Sequence, residues 1–263
     1  MSRIIILMYH IIDDAKTDIE SALCCSPRLF EEQVKYLANS EYTLVNLDDI
    51  ADILSGNKSF ETDVVALTFD DGFEDFYLNA LPILKRYKVP STLFVISNML
   101  GKTNNWMSER DFPVRKLISK QQLLSIEEKG VIIGSHSRSH LNLEKHTENA
   151  SLLNLEINTS KHELENIIGH TIEHFAYPFG KYDNSVIDVV KESAYKTACS
   201  TKSGFNRKNE KPLLLRRIEI YNSDSLWKFK FKLKLGSNAI TLKFLFNYYF
   251  SRLKNKVAPL LQA

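Results

Sequence analysis

One stretch constrains this chain more than any other: Val64-Val-Ala-Leu-Thr-Phe-Asp-Asp-Gly-Phe73. Every position from Val64 to Phe69 is apolar or β-branched. That predicts a strand buried on both faces, and such strands belong to parallel sheets covered by helices. The run stops at two adjacent carboxylates and a glycine. Successive residues of a strand point to opposite sides, so Asp70 and Asp71 can share a task where the chain turns sharply, as Gly72 permits. Ligands of α/β sheets are held at that end of the strands. One carboxylate there can bind a cation while its ionised neighbour takes a proton from water. An Asp-Asp-Gly by itself is more often the turn before a helix, so the rest of the chain has to separate the two readings.

Read in order, the chain alternates strand and helix. Ile4 to Tyr9 is a first buried strand that delivers His10 to its end. Ser26-Pro27 opens a helix, with serine as the N-cap and proline at the first helical position. Tyr42 to Val45 predicts a strand, Asp48 to Leu54 a helix, and Phe76 to Tyr87 a helix that Pro82 should kink. Thr92 to Ile96 and Val131 to Ile133 are further strands. Ser119 and Gln122 have capping-box spacing, and Glu148 to Ile168, closed by Gly169, is the longest helix. Phe175 to Tyr177, Tyr195 to Cys199 and Leu213 to Ile220 complete about eight strands, which suggests a parallel sheet closed or nearly closed into a barrel. The segment Asn98 to Ile118, with Trp106 inside it, lacks periodicity; loops of that length in a compact domain tend to be functional.

Composition excludes more than it assigns. With 34 basic and 32 acidic residues among 263, net charge +2, there is no global case for nucleic acid as a partner. Cys24, Cys25 and Cys199 form neither a disulfide framework nor a zinc-ribbon spacing, which suits reduced thiols in a cytoplasmic protein. The short apolar run at the N-terminus is not the core of a signal peptide, so export is not expected. Residues 225–263 differ from the rest. They carry Lys228, Lys230, Lys232, Lys234, Lys243, Arg252, Lys254 and Lys256 and no acidic residue. We therefore read a barrel domain over residues 1–224 and a basic extension over 225–263, packed on the barrel or trailing from it. Its lysines alternate with Trp227, Phe229, Phe231, Leu233 and Leu235, which fits a charge-protected edge strand or, less neatly, a basic amphipathic helix. Such a segment suits a solvated rim or contact with an anionic membrane.

His136-Ser-Arg-Ser-His140 follows another predicted strand. On a helical turn or tight loop, two histidines at that spacing can face one point. This pair, Asp70-Asp71 and His10 all come just after buried strands, and in an α/β barrel those loops converge on one face. Two histidines and one aspartate make a sensible zinc site. Three protein ligands leave an open position, and zinc lowers the pKa of water from about 15.7 to about 7.

Thr68-Phe-Asp-Asp-Gly72 followed by His136-Ser-Arg-Ser-His140 resembles the first two motifs of the polysaccharide deacetylases, the NodB-homology enzymes that act on N-acetylated glycans. The likeness runs from Met8-Tyr-His10 through Phe175-Ala-Tyr-Pro-Phe-Gly180 to Arg217-Ile218, and is greatest to the Met-Tyr-His branch that includes poly-N-acetylglucosamine deacetylases. The resemblance implies a distorted (β/α) barrel of about seven strands, the NodB-homology or glycoside hydrolase-deacetylase barrel. It implies Asp71, His136 and His140 as ligands of a divalent metal, zinc foremost, with cobalt, nickel or manganese as alternatives. It makes Asp70 the general base and the backbone N–H of Phe179 an oxyanion donor, with Pro178 fixing that loop beside Tyr177 in the substrate region. Trp106 is a candidate to stack on a sugar ring.

Two departures from the commoner pattern matter. Ala176 stands where many members carry an arginine that positions the base, and Arg217, or failing it Arg216, is the candidate replacement. No late Leu-x-x-His supplies a general acid, and His10 is the best substitute. The implied activity is hydrolysis of an N-acetyl group on a carbohydrate: a polysaccharide, an oligosaccharide, or a lipid- or nucleotide-linked sugar. Alternatives are hydrolysis of another non-peptide C–N bond on the same fold, or a glycan-binding protein without turnover. A cytoplasmic protein, peripheral on the inner membrane face through its basic tail, is the expected setting.

Overall fold

The computed structural model describes residues 2–240. Its strands are β1 (Ile4–Tyr9), β2 (Thr43–Val45), β3 (Val64–Phe69), β4 (Ser91–Val95), β5 (Ile132–Ser135), β6 (His174–Ala176), β7 (Thr197–Cys199) and β8 (Ile218–Glu219). The helices are α1 (Pro27–Ala38), α2 (Leu47–Ser55), α3 (Leu81–Tyr87), α4 (Lys120–Glu127), α5 (Ala150–Asn154), α6 (Ser160–Ile168), α7 (Asn184–Glu192) and α8 (Leu226–Leu235). All strand pairs are parallel, in the order β7-β6-β5-β4-β3-β1-β8, with β2 on β3. Leu215 pairs with Cys199 at the end of β7, and Ile218 three residues later pairs with Leu7 of β1. One segment thus spans both ends of the sheet and curls it into a distorted barrel.

The period of two along each strand sorts the core into two parts. Ile4, Ile6, Val64, Ala66, Phe94, Ala176, Cys199 and Leu215 fill the barrel interior, which Leu47, Ile50 and Ile53 of α2 plug from below. Their neighbours Ile5, Leu7, Tyr9, Val65, Leu67 and Phe69 point outward and pack with Phe30, Val34 and Leu37 of α1. Gly134 makes room for the Phe94 ring, because a Cβ there would lie 2.5 Å from it. Above the apolar layers the inward register of β1, β3 and β8 carries Met8, Thr68, Arg217 and Glu219. The barrel therefore becomes polar at the C-terminal ends of its strands, where catalytic groups of such folds sit.

Local signals explain the helix boundaries. Ser26 accepts the Leu29 N–H at the start of α1, and Ser119 with Gln122 forms a full capping box on α4. Such caps contribute about 1 kcal/mol each. Pro82 does not kink a regular helix. A wide π-helical turn, Phe76–Ala80, precedes it and places it in the first turn of α3, where a missing N–H costs nothing. A second π turn, Leu155–Thr159, joins α5 to α6 within the long helical stretch. The expected last strand is shorter than its pattern: residues Pro212–Leu214 form a 3₁₀ turn, and regular pairing is confined to Ile218 and Glu219.

The lysine-aromatic segment is a helix rather than an edge strand. Ser225 caps its start by accepting the Lys228 N–H, and Gly236 ends it at φ 68°. Phe229, Lys232 and Leu233 are its buried positions, spaced as one helical face, and Phe229 packs on Tyr36 of α1. Strict alternation had concealed that face because one of its members is a lysine. Lys232 is buried through an ion pair with Asp224 and a 2.7 Å hydrogen bond to the Glu219 carbonyl. Lys243, Arg252, Lys254 and Lys256 lie outside the described residues.

Candidate active site and metal centre

The Asp-Asp turn works by backbone strain. Asp70 continues the register of β3, donating its N–H to the Tyr9 carbonyl at 3.0 Å, and so points into the barrel. Asp71 by the same register would point away. Its φ of 71°, followed by 71° at Gly72, turns it back into the cleft. The turn involves the aspartate itself as well as the glycine. A Cβ on Gly72 would also crowd Val95 at 3.1 Å. Ser137, His140 and Phe179 likewise adopt positive φ, at 64°, 61° and 58°. Strain of this kind costs of order 1–3 kcal/mol per residue and gathers at functional sites.

Arg217, rather than the exposed Arg216, reaches Asp70. Its guanidinium donates to both carboxylate oxygens at 2.6 and 2.7 Å, to Thr68 Oγ1 at 3.2 Å and to the Ser200 carbonyl at 3.0 Å. Both side chains are buried. Burial pushes the Asp70 carboxyl up, but the Arg217 charge outweighs it and keeps the group below the ordinary carboxylate value.

Asp71 Oδ1 lies 3.4 Å from His136 Nε2 and 3.2 Å from His140 Nε2. His136 Nδ1 is 2.8 Å from the Ala176 carbonyl, an acceptor, so Nδ1 holds the proton of the neutral ring and Nε2 turns a lone pair toward Asp71. Asp71 Oδ1 and His140 Nδ1 are buried without a hydrogen-bond partner of good geometry. Burial raises the Asp71 carboxyl, but the facing imidazoles, His140 first, hold it well below its usual value. Burial lowers His140, whereas at His136 the Asp71 contact outweighs burial and raises it.

A divalent ion fits this donor set. Ligand bonds of 2.0–2.2 Å in tetrahedral geometry require donor separations of about 3.3–3.6 Å, close to the two found here. The ion also resolves the juxtaposition of a lone pair with a carboxylate. The supporting shell fits as well: the His136 Nδ1 contact is the kind that fixes a ligating imidazole. Ser137 Oγ accepts the His140 N–H at 3.0 Å. Buried Glu156 accepts from the Ser139 N–H at 2.9 Å, the Ser139 hydroxyl at 2.5 Å and the Arg138 N–H at 3.2 Å. Ser137 and Ser139 thus brace the histidine loop.

These groups share a cleft of about 310 Å³ with His10, Tyr177, Phe179 and Glu219. His10 is half-buried, one step beyond Tyr9, beside Asp70. The Phe179 ring packs edge-on to His140 at 4.5 Å. Tyr177 is held from behind by donating its hydroxyl to the Leu213 carbonyl at 3.0 Å. Pro178 is buried at the start of the turn 178–180. Trp106 packs behind His140, ring centroids 5.0 Å apart, and leans on Phe73. There it supports the histidine loop from behind, outside the residues that line the cleft.

Sequence reasoning missed Glu156, Glu219 and the buried Arg115. Arg115 donates to both Glu20 oxygens at 2.8 and 3.1 Å and to Asp13 at 2.8 Å, tying the loop after β1 to the long loop 98–118. Leu23 and Met107, on those loops, wall the cleft. An arginine inside an aperiodic loop was the sole hint in the sequence.

The family model for polysaccharide deacetylase matches residues 57–198, which include both carboxylates and both histidines. The chain belongs to the polysaccharide deacetylase family. The Bacillus subtilis protein YxkH, named for polysaccharide deacetylation, is 24% identical over 219 residues, 83% of this chain and 72% of its own. The poly-beta-1,6-N-acetyl-D-glucosamine N-deacetylase of Staphylococcus aureus is 27% identical over 198 residues, 73% of this chain and 66% of its own. Among solved structures, the Streptococcus pyogenes deacetylase PplD, crystallised with acetate, superposes with a TM-score of 0.76 at 26% identity. That match covers 89% of this chain and 98% of PplD. This polysaccharide deacetylase barrel therefore presents its motif residues in one cleft.

Proposed function

We propose that the chain hydrolyses the N-acetyl group of a carbohydrate, releasing acetate and a free amine, with a divalent ion, zinc foremost, held by Asp71, His136 and His140. The observation that carries this reading is the convergence of that donor trio and the arginine-paired Asp70 in one cleft. The ion, when bound, supplies Lewis acidity toward the acetyl carbonyl and makes water a nucleophile near neutral pH. Asp70, kept ionised by Arg217, takes the proton of the attacking water. The Phe179 N–H, on a turn held by Pro178, faces the developing oxyanion. His10 then gives a proton to the leaving nitrogen as the C–N bond breaks, and acetate departs.

The same proposal extends to the setting. Trp227, Lys230, Phe231 and Lys234 form an outer stripe of α8, and the sequence after it is basic and aromatic, which supports peripheral contact with an anionic membrane and a lipid-linked glycan. Three free buried cysteines support the reducing cytoplasmic side. The test is acetate release from N-acetylated sugars, free, nucleotide-linked and lipid-linked, by the wild type and Asp70→Asn. Release from at least one substrate that falls by roughly 10²-fold or more in the variant is expected. Equal rates would remove Asp70 from the chemistry, and no release from any sugar would remove the activity.

A further inference from the structure

Among the described residues, every carboxylate in the cleft has a cationic or ligating partner except Glu219. Asp70 is matched by Arg217 and Asp71 by the two imidazoles. Glu219 makes no ion pair among the described residues. Tyr221 donates its hydroxyl to Oε2 at 2.5 Å, and Oε1 accepts no hydrogen bond among the described residues. A cation is close by and is used otherwise: Lys232 Nζ goes to the Glu219 backbone carbonyl and to Asp224. Among the described residues no lysine lines the cleft, and Arg217 beside it is engaged by Asp70, Thr68 and Ser200.

The position is also rigid. The Glu219 N–H donates to Asn238 Oδ1 at 2.9 Å, its carbonyl accepts from Lys232, and its residue pair in β1 is Met8, which lines the same cleft. Lys232 and Arg217 act on this carboxylate only at longer range, and a half-buried carboxylate with no cation on its own oxygens among the described residues is one that a cationic ligand stabilises. The cleft has room for about one sugar ring, so a wall charge at this site reads the ring in it or the ring next to it.

We infer that Glu219 is a subsite for the ammonium group of an amino sugar, so that the cleft favours glycans already carrying free amines beside the acetylated residue and disfavours anionic ones. This rests on the carbohydrate-deacetylase reading for its substrate class, and it makes the enzyme one that works onward along a partly deacetylated chain.

The test separates binding from turnover by using short glucosamine oligomers, which carry no acetyl group to remove. Calorimetric affinities are measured for these and for the fully N-acetylated oligomers of equal length, with wild type, Glu219→Gln and Tyr221→Phe, at low and high salt. Glucosamine oligomers should bind Glu219→Gln about tenfold more weakly than wild type, while the acetylated oligomers change far less. Tyr221→Phe, which keeps the carboxylate, should retain the preference. In the wild type alone, raising salt should narrow the gap between the two ligands. Equal losses for both oligomers in Glu219→Gln, or a wild-type preference indifferent to salt, would overturn the subsite. Acetate release is scored apart: amine binding through Glu219 without any release would sink the deacetylase reading and leave the subsite standing.

Discussion

Arg217 and Asp70 meet through two parallel hydrogen bonds of 2.6 and 2.7 Å, although 147 residues separate them in sequence. A fork of this kind fixes the carboxylate plane and keeps it ionised inside the barrel. Arg217→Lys keeps a charge but loses the fork, so kcat should fall by roughly tenfold to a hundredfold with a smaller change in KM. Arg217→Met strands a buried charge and should cost about 3–5 kcal/mol in urea unfolding, most of it recovered when Asp70→Asn is added. Wild-type kcat in Arg217→Lys would show that Asp70 needs no orientation.

The donor trio predicts a stability linked to metal. A chelator should lower the melting temperature, and adding back zinc at about 100 times its Kd should restore about 2.7 kcal/mol. Asp71→Ala and His136→Ala should remove both the bound ion and its stabilising effect. Full metal content in either variant would place the ion elsewhere.

Much of this was legible because period and position are sequence properties. The parity of Ile4, Ile6 and Met8 against Ile5, Leu7 and Tyr9 follows from alternation alone, and strand-end placement of His10, Asp70 and His136 points them to one rim. What stayed hidden depends on tertiary context. Positive φ at Asp71 and His140 is imposed by the surrounding packing and leaves no mark in residue type. Burial of Lys232 is stabilised by Asp224, eight positions away, so a helix face containing it read as a strand. The Arg115 clamp joins Glu20 to a loop 95 residues on, and no local pattern encodes a pairing at that distance.

Asp75 predicts a pH dependence of stability away from the donor trio. It accepts the Ile12 N–H at 2.5 Å, and burial raises its carboxyl to about 7 against that bond and the Arg115 charge. The unfolded group has a value of 3.8. Below the unfolded value both states hold the proton. As pH rises from there toward 7 the unfolded chain releases it first, so stability falls, by at most about 4 kcal/mol, and levels off above 7. Asp75→Asn keeps an acceptor for Ile12 without the ionisation. Its stability relative to wild type should therefore improve between about pH 4 and about pH 7 in urea titrations and stay level above that, following the same linkage. A constant difference across that range would mean that Asp75 ionises as freely in the folded protein as in the unfolded chain.

The outer stripe of α8 predicts a membrane dependence. Trp227 is 48% exposed and packs tilted against Phe231, ring centroids 4.6 Å apart, and Lys230 and Lys234 share their face at helical spacing. Aromatic rings at that spacing suit the headgroup layer, while each lysine adds about 1 kcal/mol against an anionic surface. Lys230→Glu with Lys234→Glu in the full chain should therefore lower partitioning onto phosphatidylserine vesicles by more than about tenfold, and Trp227→Ser should lower it less. Neither change touches the buried residues Phe229, Lys232 and Leu233 that seat the helix, so acetate release from a soluble N-acetyl sugar should persist while release from a vesicle-borne one falls. Equal sedimentation with neutral and anionic vesicles, before and after charge reversal, would leave α8 as a solvated rim of the barrel.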